Sequence, residues 1–285
     1  MKTPLSLSGF ALLLCLAGSC ATASAQAYLT AAPYLQDFDS LGTAGTTAPI
    51  GWQVYSMAGG HDTFAPVDSS TPGAAPNMAA GALTSRTPLI AGAAGTQRSN
   101  QGYNFATTAA STDRSLGSSP TGIAAEILEL SLVNGSGLAL AAINLSYDIR
   151  RFTEAGNTNG YNASPYYGKE ENPGYNVFYS LDNSVWTRVA ALTPSLAGSS
   201  GVIVPDTVGV TNVGATLVEL GASWNAGSTL RLRWLDDNAQ SSSPDQLLGL
   251  DNVQVAIPEP STYAAVFGAA ALGLAGIHRL RRRAP

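Results

Sequence analysis

The sequence predicts an all-β chain built as an antiparallel β-sandwich, and three observations carry that expectation. Apolar and polar residues alternate strictly in several stretches, the pattern of strands with one face buried and one in water. Turn formers punctuate the alternation, with 30 glycines, 16 prolines and many Ser, Thr and Asn residues. Between residues 30 and 256 no long 3.6-residue period appears, so helices have no amphipathic pattern to build on.

In chain order, Leu128, Leu130 and Leu132 alternate with Glu129 and Ser131. Ile143, Leu145, Tyr147 and Ile149 then alternate with Asn144, Ser146, Asp148 and Arg150, and Leu230, Leu232 and Trp234 with Arg231 and Arg233. Leu248, Leu250, Val253 and Val255 outline a last strand that changes parity at Asp251-Asn252, the mark of a bulge. Asn134-Gly135, Pro173-Gly174, Asp182-Asn183 and Asn225-Ala226-Gly227 supply turns. Residues 58–100 hold few large apolar side chains and read as loop with room for one strand. Gly156 to Gly174 reads as a long connection carrying Tyr161, Tyr166 and Tyr167. No internal repeat is visible. Two packed antiparallel sheets over 26–256 follow.

The two ends have a different chemistry. Lys2 precedes an apolar run from Leu5 to Ala17, and Ala23-Ser24-Ala25 sets small residues where a signal peptidase reads them. Residues 1–25 are thus expected to be a secretory signal cut before Gln26; the run is too short to span a bilayer. Both cysteines, Cys15 and Cys20, precede that cut, so the processed chain has no thiol for a disulfide, a nucleophile or a thiolate metal site. Leu16 stands one place too far from Cys20 for a lipoprotein box. At the other end, Pro258-Glu259-Pro260 breaks the last strand. An Ala/Gly/Leu-rich stretch to Ile277 follows, then Arg279, Arg281, Arg282 and Arg283, which the positive-inside rule would hold on the cytoplasmic side of a membrane.

This order of parts over 257–285 resembles the PEP-CTERM sorting signal. The resemblance implies a short membrane helix, recognition by an exosortase at Pro258-Glu259-Pro260, and delivery to the cell surface or extracellular matrix. A second resemblance spans most of 34–256. It rests on Tyr34-Leu35-Gln36-Asp37-Phe38-Asp39-Ser40-Leu41, Gly51-Trp52, Gly102-Tyr103-Asn104-Phe105, Thr112-Asp113-Arg114-Ser115-Leu116-Gly117, Val177-Phe178-Tyr179-Ser180-Leu181-Asp182 and Leu250-Asp251-Asn252-Val253. In order and spacing these are similar to a family of bacterial extracellular jelly-roll modules, which implies a jelly-roll fold and names no substrate. Where relatives tend to place Glu-x-Trp-Arg, this chain has Asp148-Ile149-Arg150-Arg151.

Charge and residue types narrow the function. Setting aside Lys2 and the four C-terminal arginines leaves nine basic residues, against eighteen acids once Glu259 is also set aside, so the body carries about −9. Such a body repels phosphate backbones, and nucleic acid is not an expected partner. Histidine is limited to His61 and His278, and no Gly-x-Ser-x-Gly elbow accompanies them, so no catalytic residues are assigned. A jelly-roll hydrolase would need paired acids on a strand, but Leu128 fills the position that Glu126-Ile127-Leu128-Glu129 would need to complete an E-x-D-x-x-E set. The adjacent pairs Glu170-Glu171 and Asp236-Asp237 read as structural or surface charge.

Asp37, Asp39 and Asp251, expected on the first and last strands, offer oxygens suited to a structural Ca²⁺. The competing expectation is a bulge closed by local hydrogen bonds at Asp251-Asn252. Arg114 and Arg150 or Arg151 would either pair with buried acceptors or stay on exposed faces. Tyr161, Tyr166 and Tyr167 could stack on sugars. The expectation is a non-enzymatic, exported surface or matrix protein, with signal peptidase, exosortase, the membrane through the C-terminal helix and an extracellular polysaccharide as partners. A carbohydrate-binding module is the first alternative and a polysaccharide hydrolase the second.

Overall fold

The computed structural model describes residues 26–58, 83–94, 99–120, 124–153, 174–195, 201–205, 207–236 and 246–258. The strands are β1 (Ala27–Leu29), β2 (Tyr34–Gln36), β3 (Trp52–Ala58), β4 (Leu83–Ser85), β5 (Ile90–Ala93), β6 (Tyr103–Ala106), β7 (Ser115–Ser118) and β8 (Ala124–Asn134). They continue with β9 (Leu140–Arg151), β10 (Tyr175–Ser180), β11 (Thr187–Arg188), β12 (Pro194–Ser195), β13 (Val202–Ile203), β14 (Gly209–Trp224), β15 (Thr229–Asp236) and β16 (Leu248–Ala256). Two short 3₁₀ turns, Asp39–Leu41 and Ala190–Leu192, are the helical elements among the described residues. No described helix is long and apolar enough to cross a membrane.

Among the described residues the strands form two seven-stranded sheets. The first runs β11-β10-β15-β8-β3-β4, with β1 lying parallel to the end of β8. The second runs β14-β9-β16-β7-β6-β5, with β2 on the far half of β16. Pairing is antiparallel except for β1 with β8, β5 with β6 and the small β12–β13 pair.

The alternating residues do what their period requires. Leu128, Leu130 and Leu132 of β8 lie opposite Trp234, Leu232 and Leu230 of β15, all buried. Facing them across the sandwich are Ile143, Leu145, Tyr147 and Ile149 of β9 with Leu248, Leu250, Val253 and Val255 of β16. Trp234 joins the layers, stacked on Trp52 with centroids 5.4 Å apart and meeting the Tyr147 edge at 5.8 Å. Each such side chain contributes roughly 1.5–3 kcal/mol by leaving water, so this face fixes the sheets' registers.

The expected bulge is present. The β16–β9 register shifts between Asp251 and Gln254, and Asn252 has φ of 48°. The extra residue lets Leu250 and Val253, an odd number apart, both point inward.

Other expectations need correction. Residues 58–100 contain two described strands rather than one, β4 at the edge of the first sheet and β5 at the edge of the second. Both are short and half-exposed, so no apolar alternation announced them. Asp37 and Asp39 lie past the end of β2, in the turn and 3₁₀ segment, not on a strand. The sequence pattern also missed β14, an edge strand. Its inward residues Val213, Val218, Leu220 and Trp224 are unevenly spaced, because register shifts follow Val213 and Glu219.

Candidate functional site

β2 does pair with β16, which brings the Asp39 and Asp251 segments to one side of the molecule as expected. Their side chains are engaged locally. Asp37 accepts the Asp39 amide at 3.1 Å, and Asp39 accepts the Arg114 amide at 2.8 Å. Asp251 accepts the amide of Asn252 at 2.7 Å, while Asn252 donates its side-chain amide to Asp148 at 2.8 Å. These are the hydrogen bonds of a closed bulge. The cation facing Asp251 is Arg150, at 3.5 Å, which also binds Asp113. Burial raises Asp251 to about 7; the Asn252 amide and Arg150 pull it down, while Asp113 and Asp148 push it up. Among the described residues no three His, Cys, Asp or Glu side chains gather to hold a metal.

Arg114 is held by neutral acceptors among its described partners. It is fully buried, donating from Nε to Asn104 at 2.6 Å and from its other nitrogens to the carbonyls of Ser111, Gly92 and Asn104. Arg151 is also buried and donates to the Pro205 carbonyl at 2.7 Å.

A row of polar groups crosses the interior at one end of the first sheet. Tyr175, Asp236, Glu126 and Ser56 are successive cross-strand partners. Ser118 donates to Asp236 and lies 3.0 Å from the Tyr175 hydroxyl, and Glu126 accepts the Ser119 amide. Burial holds Glu126 well above the usual carboxylate range, against the Ser119 amide and the charge of Arg86. The sequence hid this pair because Glu126 and Asp236 lie more than a hundred residues apart. Both are 0% exposed, so the row is closed to a substrate.

The outward face of the first sheet is the accessible candidate. Glu129, Gln53, Arg233 and Phe178 occupy one cross-strand row, with Arg188 beyond. Arg233 donates from Nε to Glu129 at 2.6 Å and lies 3.8 Å over the Trp186 ring, while Arg231 approaches Glu129 at 3.5 Å. Next to this network the surface dips on both sides of Gln53. One depression, of about 410 Å³, is lined by Ile50, Ser131, Thr229 and Arg231. The other, of about 520 Å³, is lined by Thr46, Thr47, Tyr55, Ser85 and Thr87. Both include Ala48, Trp52 and Gln53, so they form one trough across β3. Tyr55, two residues on from Gln53 and on the same face, binds it through its hydroxyl. Hydroxyls, an amide, one half-exposed ring and one guanidinium make a surface that can hydrogen-bond and stack.

Tyr161, Tyr166 and Tyr167, and likewise Glu259, Pro260, Arg279, Arg281, Arg282 and Arg283, lie outside the described residues. Pro258 is described, half-buried two residues after β16. It borders a third depression, of about 620 Å³, on the outward face of the second sheet with Asn144, Ser146 and Gln254.

No protein-family model matches the chain, and no curated protein matches it. Among solved structures it is similar to the K1 cleaved adhesin domain of Lys-gingipain (Kgp) from Porphyromonas gingivalis W83. That match has a TM-score of 0.31 and 11% identity over 80% of this chain and 99% of that one. So loose a superposition carries no argument about function.

Proposed function

We propose that the chain is an exported protein of the bacterial surface or extracellular matrix, with a jelly-roll body that fills space and binds without catalysing a reaction. In this reading signal peptidase cuts before Gln26, the Arg279–Arg283 end holds the tail at the membrane, and an exosortase acts at Pro258-Glu259-Pro260. The observation that carries it is the placement of the terminal strands. Ala27 is paired with Leu132 of β8, and Ala256 with Asn144 of β9. The described strands therefore run from Ala27 to Ala256, which supports a folded body spanning the interval between the two proposed addresses. Burial of Glu126 and Asp236 supports the non-catalytic part, because a hydrolase needs its acids where substrate can reach them.

Mass spectrometry of the native protein from envelope and culture medium tests the reading. A first residue of Gln26 and a C-terminus altered near Pro258 are expected, the latter only in cells with an exosortase. Recovery in the cytosol with Met1 and Pro285 both intact would overturn it. Turnover of a polysaccharide, abolished by one Asp or Glu substitution, would overturn its non-enzymatic part.

A second reading, a carbohydrate-binding module, is favoured by the trough at Gln53 and Tyr55. A glycan array separates the two: silence across diverse glycans leaves only the space-filling role. Binding lost with Tyr55→Ala places the site in the trough, whereas loss with Tyr166→Ala places it in the tyrosine-bearing connection.

A further inference from the structure

The described residues of the two outward faces of the sandwich differ in their balance of charge. Among the described residues of the first sheet, the side chains that alternate away from the core include Arg188, Arg231 and the buried Arg233 against one acid, Glu129. On the second sheet, the described outward positions of β9, β14 and β16 include Asp148, Glu219 and the largely buried Asp251 against one arginine, Arg150. The processed body as a whole is acidic. Among the described residues, a polyanion therefore meets less repulsion on the first sheet's outward face, where the trough lies, than on the second's.

We propose that this trough binds an extended acidic polysaccharide, a chain of uronic acid type, with a sugar ring over Tyr55, hydroxyls at Gln53 and a carboxylate at Arg231. This names a ligand class for the second reading above and rests on it. The assignment follows from three properties of the surface. Its lining sets hydroxyls of Thr46, Thr47, Ser85, Thr87, Ser131 and Thr229 among apolar side chains such as Ile50 and Pro88, a mixed surface that suits a hydroxylated ligand with apolar ring faces. Its lining runs from Arg231 of β15 past Ser131 of β8 and Gln53 of β3 to Ser85 of β4, three strand spacings of about 4.8 Å each, which suits a chain rather than a single sugar. Arg231 has its side chain 30% exposed, and its approach to Glu129 is 3.5 Å, so it retains donors for an incoming carboxylate. Arg233, which is buried, has Glu129 at 2.6 Å and the Trp186 ring against it. It keeps Glu129 engaged and thereby positions Arg231.

The test is affinity electrophoresis of the intact chain through gels containing sodium alginate, with dextran as the neutral control. Retardation by alginate, absent with dextran and weakened several-fold between 20 and 300 mM NaCl, is expected. Arg231→Gln and Tyr55→Ala should each weaken it about tenfold, while Tyr55→Phe retains most of it and Ser146→Ala, on the opposite face, changes nothing. Melting temperatures of the variants report whether each remains folded, and the salt dependence of the parent protein needs no variant. Equal retardation by dextran, none by alginate, or folded Arg231→Gln and Tyr55→Ala variants that run like the parent would each overturn the proposal. So would concentration-dependent self-association without glycan that Arg231→Gln abolishes, since a second copy would then own this face. None of these outcomes alters the termini found by mass spectrometry, so this proposal and the export reading fail separately.

Discussion

Arg114 and Asn104 hold each other in a site closed to solvent: Arg114 Nε donates to Asn104 Oδ1 at 2.6 Å, and both side chains are 0% exposed. Asn104 in turn donates to the carbonyls of Gly42 and Gly45, each at 2.9 Å. The pair therefore ties β6 and β7 to the segment after the 3₁₀ turn that carries Asp39.

Removing Arg114 strands several of these acceptors at once. Each buried group left without a partner costs about 1–3 kcal/mol, so Arg114→Met is expected to lose about 3 kcal/mol or more. Arg114→Lys should recover little, because an ammonium cannot reproduce the guanidinium's planar fork. Urea denaturation checks both; a lysine variant as stable as the parent would contradict the geometry.

Asp251 gives stability a pH dependence of definite sign. Its folded value of about 7 lies above the ordinary 3.8, so folding takes up a proton between those limits. The charged form is disfavoured in the fold, and stability falls as pH rises from about 4 through 7. Asp251→Asn keeps an acceptor for the Asn252 amide and abolishes that contribution. The variant should gain on the parent steadily as urea midpoints are measured at pH 4.5, 6 and 8. A difference that does not change with pH would refute this.

Tyr147 is fully within the core, its ring edge against Trp234, and its hydroxyl has no hydrogen-bond partner among the described residues. Burial raises its pKa and keeps the hydroxyl neutral. An unpaired buried hydroxyl is a cost, so Tyr147→Phe is expected to be neutral or to gain up to about 1 kcal/mol. A clear loss in thermal denaturation would mean that the hydroxyl has a partner.

Gly117 leaves no room for a side chain. A Cβ there would come within 2.2 Å of the Phe105 ring, which is itself stacked on Tyr103 at 4.5 Å and edged by Phe152. Gly117→Ala should cost about 1–3 kcal/mol through overpacking. Combined with Phe105→Ala, the two costs should not add, because the clash disappears with the ring. Strict additivity in the double mutant would show that Gly117 serves the backbone instead.

The trough at Gln53 was not legible in the sequence, and the reason is geometric. Thr46, Tyr55, Ser85, Ser131 and Arg231 come from segments far apart in the chain, and nothing in their spacing links them. Tyr55 stands in a strand that carried no clean alternation, and Trp186 sits beside a two-residue strand. The Glu129–Arg233 pair had a weak signal, since both were visible as the polar members of alternating strands. Only the register that places them opposite each other makes them partners.

What the sequence by itself determined is the two-faced character of β8, β9, β15 and β16 and the bulge in the last of them. Those depend on the side-chain period within a single strand, which is a local property. Leu128, Tyr147, Trp234 and Val253 could be assigned to the core without knowing their neighbours. Tertiary structure alone decided which polar residues meet. It paired Glu126 with Asp236 in the interior, set Arg150 against Asp251, and put Arg188, Arg231 and Arg233 on one outward face. Such contacts depend on strand order and register, and those are settled by how two whole sheets pack their apolar faces together rather than by any short stretch of chain.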